Sequence, residues 1–377
     1  MAAAGDEPGT KRAHTARQRW SATFPDDLLA VVYHMIASQL GRVRFAAVCR
    51  SWRAAARCAQ PVPALPLLLL SPRDCSGTKA LLHCPEDGAI VPLRYPSKAV
   101  VKCIVGCHDG GWVASSLPDP FRIVNLFSGA EVPLNKKQAI ISCTSRVGCP
   151  NTGWSVEGCP NKPIVDILFW NGELYSLLYD GHLIKFEIGM NEDGAPVITA
   201  THWLVIQRIG HAISEGYYRD YVSYIFDLEG KFAMALRRQW LPNLDPFFKV
   251  FTLVPICEPN ACYKQKWLEV TSLGDHALFL GEMFSKAVHV TGNMPGGVKR
   301  NHIYYSHNCW LDQNIVVSSD KVFFTISNDN VDHTYYKIDD TNNEVTGDGD
   351  YVKGIRSVGY FKKGCLDGGM WIIPPNL

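Results

Sequence analysis

The spacing of apolar residues predicts a short helical segment at the start of the chain. Four of them recur at intervals of three and four residues and predict one amphipathic helix with a single apolar stripe: Leu28, Leu29, Val32 and Ile36. Pro25 suits the first helical position, and the two aspartates after it favour the positive end of the helix dipole. Gly41 is expected to end this helix.

A second helix is expected after Gly41. Its apolar face would contain these residues, with arginines along its edges: Phe45, Val48, Cys49, Trp52 and Ala56. The stretch "AQPVPALP" at 59–66 follows, and its three prolines exclude a continuing helix. The expected organisation is a disordered basic tail at 1–19, an all-α module at 20–59, a proline-rich linker at 60–66 and an all-β domain at 67–377.

The all-β prediction rests on short apolar runs separated by turn residues. The clearest is "WNGELYSLLYDGHLIKFEI" (170–188), in which Asp-Gly separates two strand-like runs and indicates a hairpin. Four other segments repeat this pattern: 109–129, 228–254, 273–292 and 319–339. A recurrence of about 45 residues is typical of a four-stranded propeller blade. The segment would then hold six or seven blades, with a pair of β-sandwiches as the alternative.

Composition and charge narrow the class of protein. With 47% hydrophobic and 19% charged residues, bulk disorder is excluded. The net charge is +1, but residues 1–60 carry nine Lys/Arg against four Asp/Glu. The opening residues lack the apolar core of a secretory signal, and no apolar run approaches the ~20 residues that span a bilayer. The 13 irregularly spaced cysteines indicate mostly buried thiols in an intracellular protein of the nucleus or cytoplasm.

The helical segment resembles an F-box. "FPDDLLAVVYHMIASQLGRVRFAAVCRSWRAAAR" (24–57) matches the pattern Leu-Pro-x-Glu/Asp-Leu-Leu followed by Val-Cys-Lys/Arg-x-Trp-Arg. The remainder is similar to the KIB-type β-propeller of plant F-box proteins. That similarity rests on "SLGDHALFLGE" (272–282), "NHIYYSHN" (301–308) and "GGMWIIPP" (368–375).

The resemblance implies a substrate-recognition subunit of a Skp–cullin–F-box E3 ubiquitin ligase. The F-box would bind a Skp-type adaptor attached to a cullin–RING scaffold, and the propeller would bind an unknown substrate protein. No cofactor, metal, membrane or nucleic-acid partner and no catalytic residue is expected. The expected adaptor contacts are Pro25, Leu28, Leu29, Ile36, Val48 and Trp52.

Several alternatives remain open. Trp52 and Leu28 would be interior residues if the helices form their own core or pack on the propeller. A degenerate F-box would leave a propeller scaffold outside ubiquitin transfer. The arginines at 42, 44, 50, 53 and 57 permit a phosphate-binding face, although the intervening alanines do not suit base readout. "CIVGCH" (103–108) offers no complete zinc set, and phosphate-binding or nucleophile motifs are missing. The loops 238–248 and 291–302 are plausible substrate contacts.

Overall fold

The computed structural model describes the following residues: 25–36, 39–59, 64–70, 79–94, 104–115, 122–133, 164–179, 181–190, 192, 196–207, 209, 221–238, 248–258, 261–281, 284–290, 298–306, 322–328, 331–339, 355–362 and 369–374. The expected tail at 1–19 lies outside them, as do most of the two expected substrate loops. The described residues contain no helix long and apolar enough to cross a bilayer.

Three helices, not two, form the N-terminal segment: α1 (Asp26–Met35), α2 (Gln39–Ala47) and α3 (Arg50–Cys58). Gly41 lies inside α2, so the prediction that it ends a helix is wrong. The break comes eight residues later at Cys49, whose backbone is extended (φ −162°, ψ −179°). Because the backbone turns there, the expected continuous face is divided: Phe45 lies in α2, Val48 and Cys49 lie at the break, and Trp52 and Ala56 lie in α3.

The described residues after the helices form strands: β1 (Leu67–Leu70), β2 (Lys79–His83), β3 (Ile90–Arg94), β4 (Ile104–His108), β5 (Trp112–Ser115), β6 (Arg122–Asn125), β7 (Glu131–Pro133), β8 (Ile164–Trp170), β9 (Glu173–Leu178), β10 (Leu183–Met190), β11 (Pro196–Trp203), β12 (Ile206–Gln207), β13 (Tyr221–Leu228), β14 (Lys231–Arg238), β15 (Phe248–Pro255), β16 (Gln265–Val270), β17 (His276–Gly281), β18 (Phe284–His289), β19 (His302–Tyr305), β20 (Val322–Asn328), β21 (Val331–Asp339), β22 (Arg356–Lys362) and β23 (Met370–Ile372). Each of the five predicted hairpin segments contains a pair of these strands.

Four sheets have the antiparallel four-strand order of a propeller blade: β23-β1-β2-β3, β4-β5-β6-β7, β8-β9-β10-β11 and β13-β14-β15-β16. The last of these is extended by β12, which pairs in parallel with β16. A fifth sheet has six strands in the order β18-β17-β19-β22-β21-β20 and includes two parallel pairings. That sheet departs from a simple blade.

The sheets pack against one another in succession. One apolar cluster joins the β8–β11 sheet to the β13–β16 sheet, and another joins the latter to the six-stranded sheet. Further clusters join the six-stranded sheet to the β1 sheet, and the β1 sheet to the β4–β7 sheet. Edge strands meet in the same order, with contacts of β13 to β8 and β18, and of β18 to β23 and β4. This is a β-propeller arrangement, in which we infer that these edge strands are the innermost.

The last described strand completes the first sheet. Trp371 of β23 stands opposite Leu68 of β1, so two segments about 300 residues apart in sequence share one blade. The indole N–H of Trp371 donates to the carbonyl of Leu280 in the neighbouring sheet at 3.0 Å. Residues 134–163, between β7 and β8, lie outside the described parts, so the number of six or seven blades stays a prediction.

Candidate functional site

Helix α1 has two apolar faces rather than the single stripe expected from its sequence. The side chains of Leu29 and Tyr33 are buried, with Leu29 completely inaccessible to solvent. On the other face, four exposed apolar residues follow one another at spacings of three, one and three positions: Leu28, Val31, Val32 and Met35. Residues with these spacings lie on one side of a helix. We call these four residues the outer stripe.

The inner face of α1 belongs to a small core of the three helices. Tyr33 packs edge-on against Phe45 with ring centroids 5.5 Å apart, and Phe45 lies 4.5 Å from the Trp52 ring. Ala55 and Ala56 of α3 also belong to this core. Their small side chains let the helices approach closely. The three helices therefore stabilise one another through a contiguous aromatic contact.

The six expected adaptor contacts divide into two groups. Pro25, Leu28 and Val48 have exposed side chains, with Leu28 51% and Val48 59% accessible. The structure brings the other three together at the helical core, where Ile36 and Trp52 are partly buried and Leu29 is fully buried. In this arrangement Leu29 is a core residue of the helical segment, and most of Trp52 is covered by its own chain.

Sequence reasoning missed two members of the outer stripe, Val31 and Met35. Met35 is 78% exposed, the largest exposure of the four. Their spacing from Leu28 was visible in the sequence, but the unbroken apolar run from Leu28 to Tyr33 conceals which residues face inward. The position of Phe45 and Trp52 resolves this, because these rings cover Leu29 and Tyr33 and leave the outer stripe open.

Two of the five arginines in this segment stabilise helix ends. Arg42 is buried, and its Nε–H donates to the carbonyl of Ile36 at 3.0 Å. The Nε–H of Arg53 donates to the carbonyl of Ala46 at 3.1 Å. Cations near the last carbonyls of a helix also favour the negative end of its dipole. A structural role therefore accounts for these two side chains without a phosphate ligand.

The propeller has a buried carboxyl group between two blades. Asp166 lies at an irregularity in the pairing of β8 with β9. It accepts hydrogen bonds from the backbone N–H of Ile225 on β13 at 2.8 Å and from that of Ile167 at 2.9 Å. Burial raises the pKa of Asp166 to about 7, whereas the backbone hydrogen bonds from Ile225 and Ile167 act in the opposite direction. The Asp166 carboxylate joins neighbouring blades at their innermost strands.

In the "CIVGCH" segment, Cys107 makes a structural contact within the protein. The Cys107 thiol donates to the carbonyl of Trp371 at 3.3 Å, and burial raises its pKa well above the ordinary range. His108 is exposed, and Cys103 lies outside the described residues. Across the parts of the chain that the structure describes, no group of three or more His, Cys, Asp or Glu side chains is placed to hold a metal ion.

The described ends of the two expected substrate loops make contacts within the protein. Arg300 forms an ion pair with Asp275 at 2.6 Å, and the Lys299 N–H donates to the hydroxyl of Tyr304. Phe248 packs edge-on against Tyr305, with centroids 5.0 Å apart. The remainder of these loops, 239–247 and 291–297, lies outside the described residues, and their role in substrate binding stays a prediction.

Comparison with known proteins agrees with this arrangement of blades. A family model described as KIB1-4 beta-propeller matches residues 135–337, which is more than half of the chain. Neither the curated proteins nor the solved structures contain a match to the chain. The matched range runs from just after β7 into β21 and includes two of the four-stranded blades. The chain therefore belongs to the KIB1-4 beta-propeller family.

Proposed function

We propose that this protein is the substrate-recognition subunit of a Skp–cullin–F-box E3 ubiquitin ligase. Residues 20–59 bind the Skp-type adaptor, and the propeller, with six or seven blades, binds the substrate protein. The subunit carries no catalytic residue of its own. It contributes proximity, because it holds a substrate near ubiquitin activated by its partners.

The outer stripe of α1 is the observation that carries this proposal. It presents Leu28, Val31, Val32 and Met35 to solvent from a segment that resembles an F-box, although the same helices already have an internal core. Exposed contiguous apolar side chains are typical of protein interaction sites. The stripe therefore requires no unfolding of the helical core to engage a partner.

Burial of the outer stripe and Val48 in an interface would contribute to the free energy of binding. Burying a Val, Leu or Met side chain contributes roughly 1.5–3 kcal/mol when the whole side chain leaves water. The residues of the outer stripe and Val48 are about half exposed on average, so each offers about 1 kcal/mol and the five together about 5 kcal/mol. This gain is reduced by the entropy lost on association, so the stripe needs additional polar or aromatic contacts for tight binding.

A second candidate is a propeller scaffold that acts outside ubiquitin transfer. It is favoured by the inward orientation of Leu29 and by the packing of Trp52 on Phe45, since two residues of the F-box pattern then serve the fold. In this case the outer stripe would bind another protein or a part of the chain beyond the described residues. The two candidates predict the same stability for this protein and its variants, but only the ligase candidate predicts that the chain binds a Skp-type adaptor.

A pull-down of the full chain with a purified Skp-type adaptor tests the proposal. Met35→Asp and Val31→Asp place charges on the outer stripe, and we expect each to weaken binding at least about tenfold, since burying an unpaired charge is costly. His34→Asp is the matched control, because His34 is exposed on α1 outside the stripe. Far-UV circular dichroism verifies that the variants retain their helices.

The outcomes separate the two candidates. Adaptor binding by the wild type with loss in the stripe variants supports the ligase role. A wild-type chain that does not bind any Skp-type adaptor contradicts it and favours the scaffold. Equal binding by wild type, Met35→Asp and Val31→Asp would show that the adaptor uses another surface. Trp52→Ala is unsuitable as the sole variant, because removal of its ring also opens the helical core.

A further inference from the structure

One corner of the propeller combines exposed apolar side chains with two lysines. Strand β12 pairs in parallel with the outer strand β16, where Gln207 stands opposite Lys266. The association of the two segments continues beyond β12, because the N–H of Lys264 donates to the carbonyl of Val205 at 3.1 Å. This short two-stranded ribbon lies outside both of the loops that were expected to bind substrate.

The two sides of the ribbon differ in exposure. Successive side chains of a strand point to opposite sides. On the inner side, Ile206 and Trp267 pack against the apolar cluster that joins the β8–β11 sheet to the β13–β16 sheet. The exposed side chains within 205–207 and 264–268 alternate with these inner ones, and we call them the lysine patch: Val205, Gln207, Lys264, Lys266 and Leu268.

The neighbouring six-stranded sheet ends before it reaches this patch. Val250 and its partner Val270 still belong to the cluster that the two sheets share. Two residues before Val270, Leu268 is already 54% exposed, and Val205 on the adjacent segment is 48% exposed. Trp203 precedes Val205 by two residues and is 46% exposed. The described part of the propeller therefore leaves an apolar surface open beside the two lysines.

Lys264 and Lys266 give the patch a positive charge. Glu269, the acidic residue of β16, pairs with Lys249 at 3.3 Å instead. Within the described residues, no ion pair includes Lys264 or Lys266. Residues 1–60 carry +5 of a total net charge of +1, which leaves −4 for the rest of the chain. The patch is thus a local basic site on a propeller of net negative charge.

The spacing along β16 defines the shape of a matching ligand. Lys264, Lys266 and Leu268 are each two residues apart, so their side chains follow one another at intervals of about 6.5–7 Å. One side of an extended peptide has the same repeat. Two acidic residues and one apolar residue at alternate positions of such a peptide would therefore meet the two lysines and the leucine together.

We propose that the lysine patch binds an extended acidic segment of the substrate protein, in which two acidic residues and a neighbouring apolar residue occupy alternate positions. The two carboxylates pair with Lys264 and Lys266, and the apolar side chain packs on Leu268. The proposal rests on the role of the propeller in substrate recognition and names the chemistry of the substrate. It does not depend on adaptor binding by the helices.

A protein segment fits this surface better than a nucleic acid or an anionic membrane. A phosphate backbone offers no apolar partner for Leu268 and Val205, and its affinity grows with the number of phosphates that are neutralised. Two lysines neutralise few of them. An extended anionic surface is also repelled by the net negative propeller, whereas a short acidic segment contacts the patch alone.

Fluorescence anisotropy with the full chain tests the proposal. The probe is the peptide Leu-Ser-Asp-Ser-Asp-Ser-Leu with fluorescein at its N-terminus, which contains the pattern in both directions. The comparison peptide Leu-Ser-Asp-Asp-Ser-Ser-Leu has the same composition, but its adjacent aspartates point to opposite sides when it is extended. We expect the wild-type chain to bind the probe at least about fivefold more tightly, and about 0.5 M NaCl to weaken this binding.

Substitutions in the patch and one matched control locate the binding site. Lys264→Glu and Lys266→Glu should each weaken binding of the probe at least about tenfold, because repulsion replaces attraction. Leu268→Ser should weaken it about fivefold through the lost apolar contact. Lys231→Glu makes the same charge change at an exposed residue of the same sheet and should bind like wild type. Far-UV circular dichroism and thermal unfolding midpoints verify that the variants are folded.

Each outcome bears on the proposal. Equal affinities for the two peptides, or equal binding of the probe by wild type, Lys264→Glu and Lys266→Glu, would overturn it. Lysine-dependent binding of duplex DNA or of phosphatidylserine vesicles, with no binding of the probe, would assign the patch to that ligand and also overturn it. Probe binding by a chain that fails in the adaptor pull-down would support the patch and contradict the ligase role. Adaptor binding without probe binding would reject the patch alone.

Discussion

Removal of the Trp371 side chain should destabilise the propeller more than any comparable change at its surface. Trp371 lies in β23, is inaccessible to solvent, and contacts the rings of Phe279 and Tyr360 at centroid distances of 5.0 and 5.6 Å. Its position opposite Leu68 also makes it part of the pairing that joins the last strand to the first. The substitution Trp371→Ala therefore removes packing across two sheets at once.

Two substitutions separate the contribution of the Trp371 ring to the free energy of unfolding from that of its hydrogen bond. Trp→Ala in a core costs about 3–5 kcal/mol of unfolding free energy. Trp371→Phe retains a ring but loses the donor to the Leu280 carbonyl, which still accepts from the N–H of Ser306 at 3.0 Å. Because that carbonyl keeps one partner, the lost hydrogen bond should cost only about 0.5–1.5 kcal/mol. With the smaller ring included, we expect about 2–3 kcal/mol for Trp371→Phe.

Urea unfolding followed by far-UV circular dichroism measures these differences without relying on tryptophan fluorescence. Trp203→Ala is the matched control, since Trp203 is 46% exposed at the end of β11 and should cost less than about 1 kcal/mol. Equal unfolding midpoints for Trp371→Ala and Trp203→Ala would refute the assignment of Trp371 to the closing core. A midpoint for Trp371→Phe as low as that of Trp371→Ala would refute the separation of ring and hydrogen bond.

Three further predictions concern charge and backbone conformation. The pKa of Asp166 is raised from 3.8 to about 7, so the protonated side chain stabilises the fold below pH 4, and this stabilisation is lost as the pH rises through 7. In urea titrations, Asp166→Asn should therefore gain stability relative to wild type between pH 5 and 8. Burial, aided by the charge of Lys337, lowers the pKa of His83 from 6.5 to about 4, so the neutral side chain stabilises the fold above pH 6.5, and this stabilisation is lost as the pH falls toward 4. His83→Gln should reduce the loss of unfolding free energy on the acid side. An unchanged slope of unfolding free energy against pH would contradict this. At Gly111, where φ is +82°, an added Cβ would lie 2.2 Å from the Phe127 ring, whereas at Gly172, where φ is +80°, it would meet open space. Gly111→Ala should therefore cost about 1 kcal/mol or more beyond the cost of Gly172→Ala in thermal unfolding. Equal losses of stability would show that Phe127 moves away freely.

The hairpins were predictable because their determinants are local. Asn171-Gly172 and Glu229-Gly230 occupy tight turns in which all four residues have positive φ. Such turns are encoded by adjacent residues, and the alternating apolar runs beside them identify the paired strands. The propeller arrangement followed from the repetition of this local unit. The six-stranded sheet was not predictable, because its parallel pairings bring together strands separated by long stretches of chain.

The helical segment shows where sequence reasoning ends. Periodicity identified α1, but Leu28 and Leu29 are equally apolar, and only the location of Phe45 determines that Leu29 is inside. The break at Cys49 had no signal as strong as proline or glycine. The hydrogen bond from Ile225 to Asp166 was likewise invisible, since it depends on how neighbouring blades align after folding.

The pairing of β1 with β23 has a consequence for synthesis of the chain on the ribosome. Leu67–Leu70 emerges early, but its partner Met370–Ile372 follows about 300 residues later. At ~5–20 residues per second, translation of that interval takes roughly 15–60 s. Throughout this time, an edge of four consecutive leucines lacks one of its two neighbouring strands and is a target for chaperones or for misassembly between nascent chains. Premature termination shortly before residue 370 would make this transient exposure permanent.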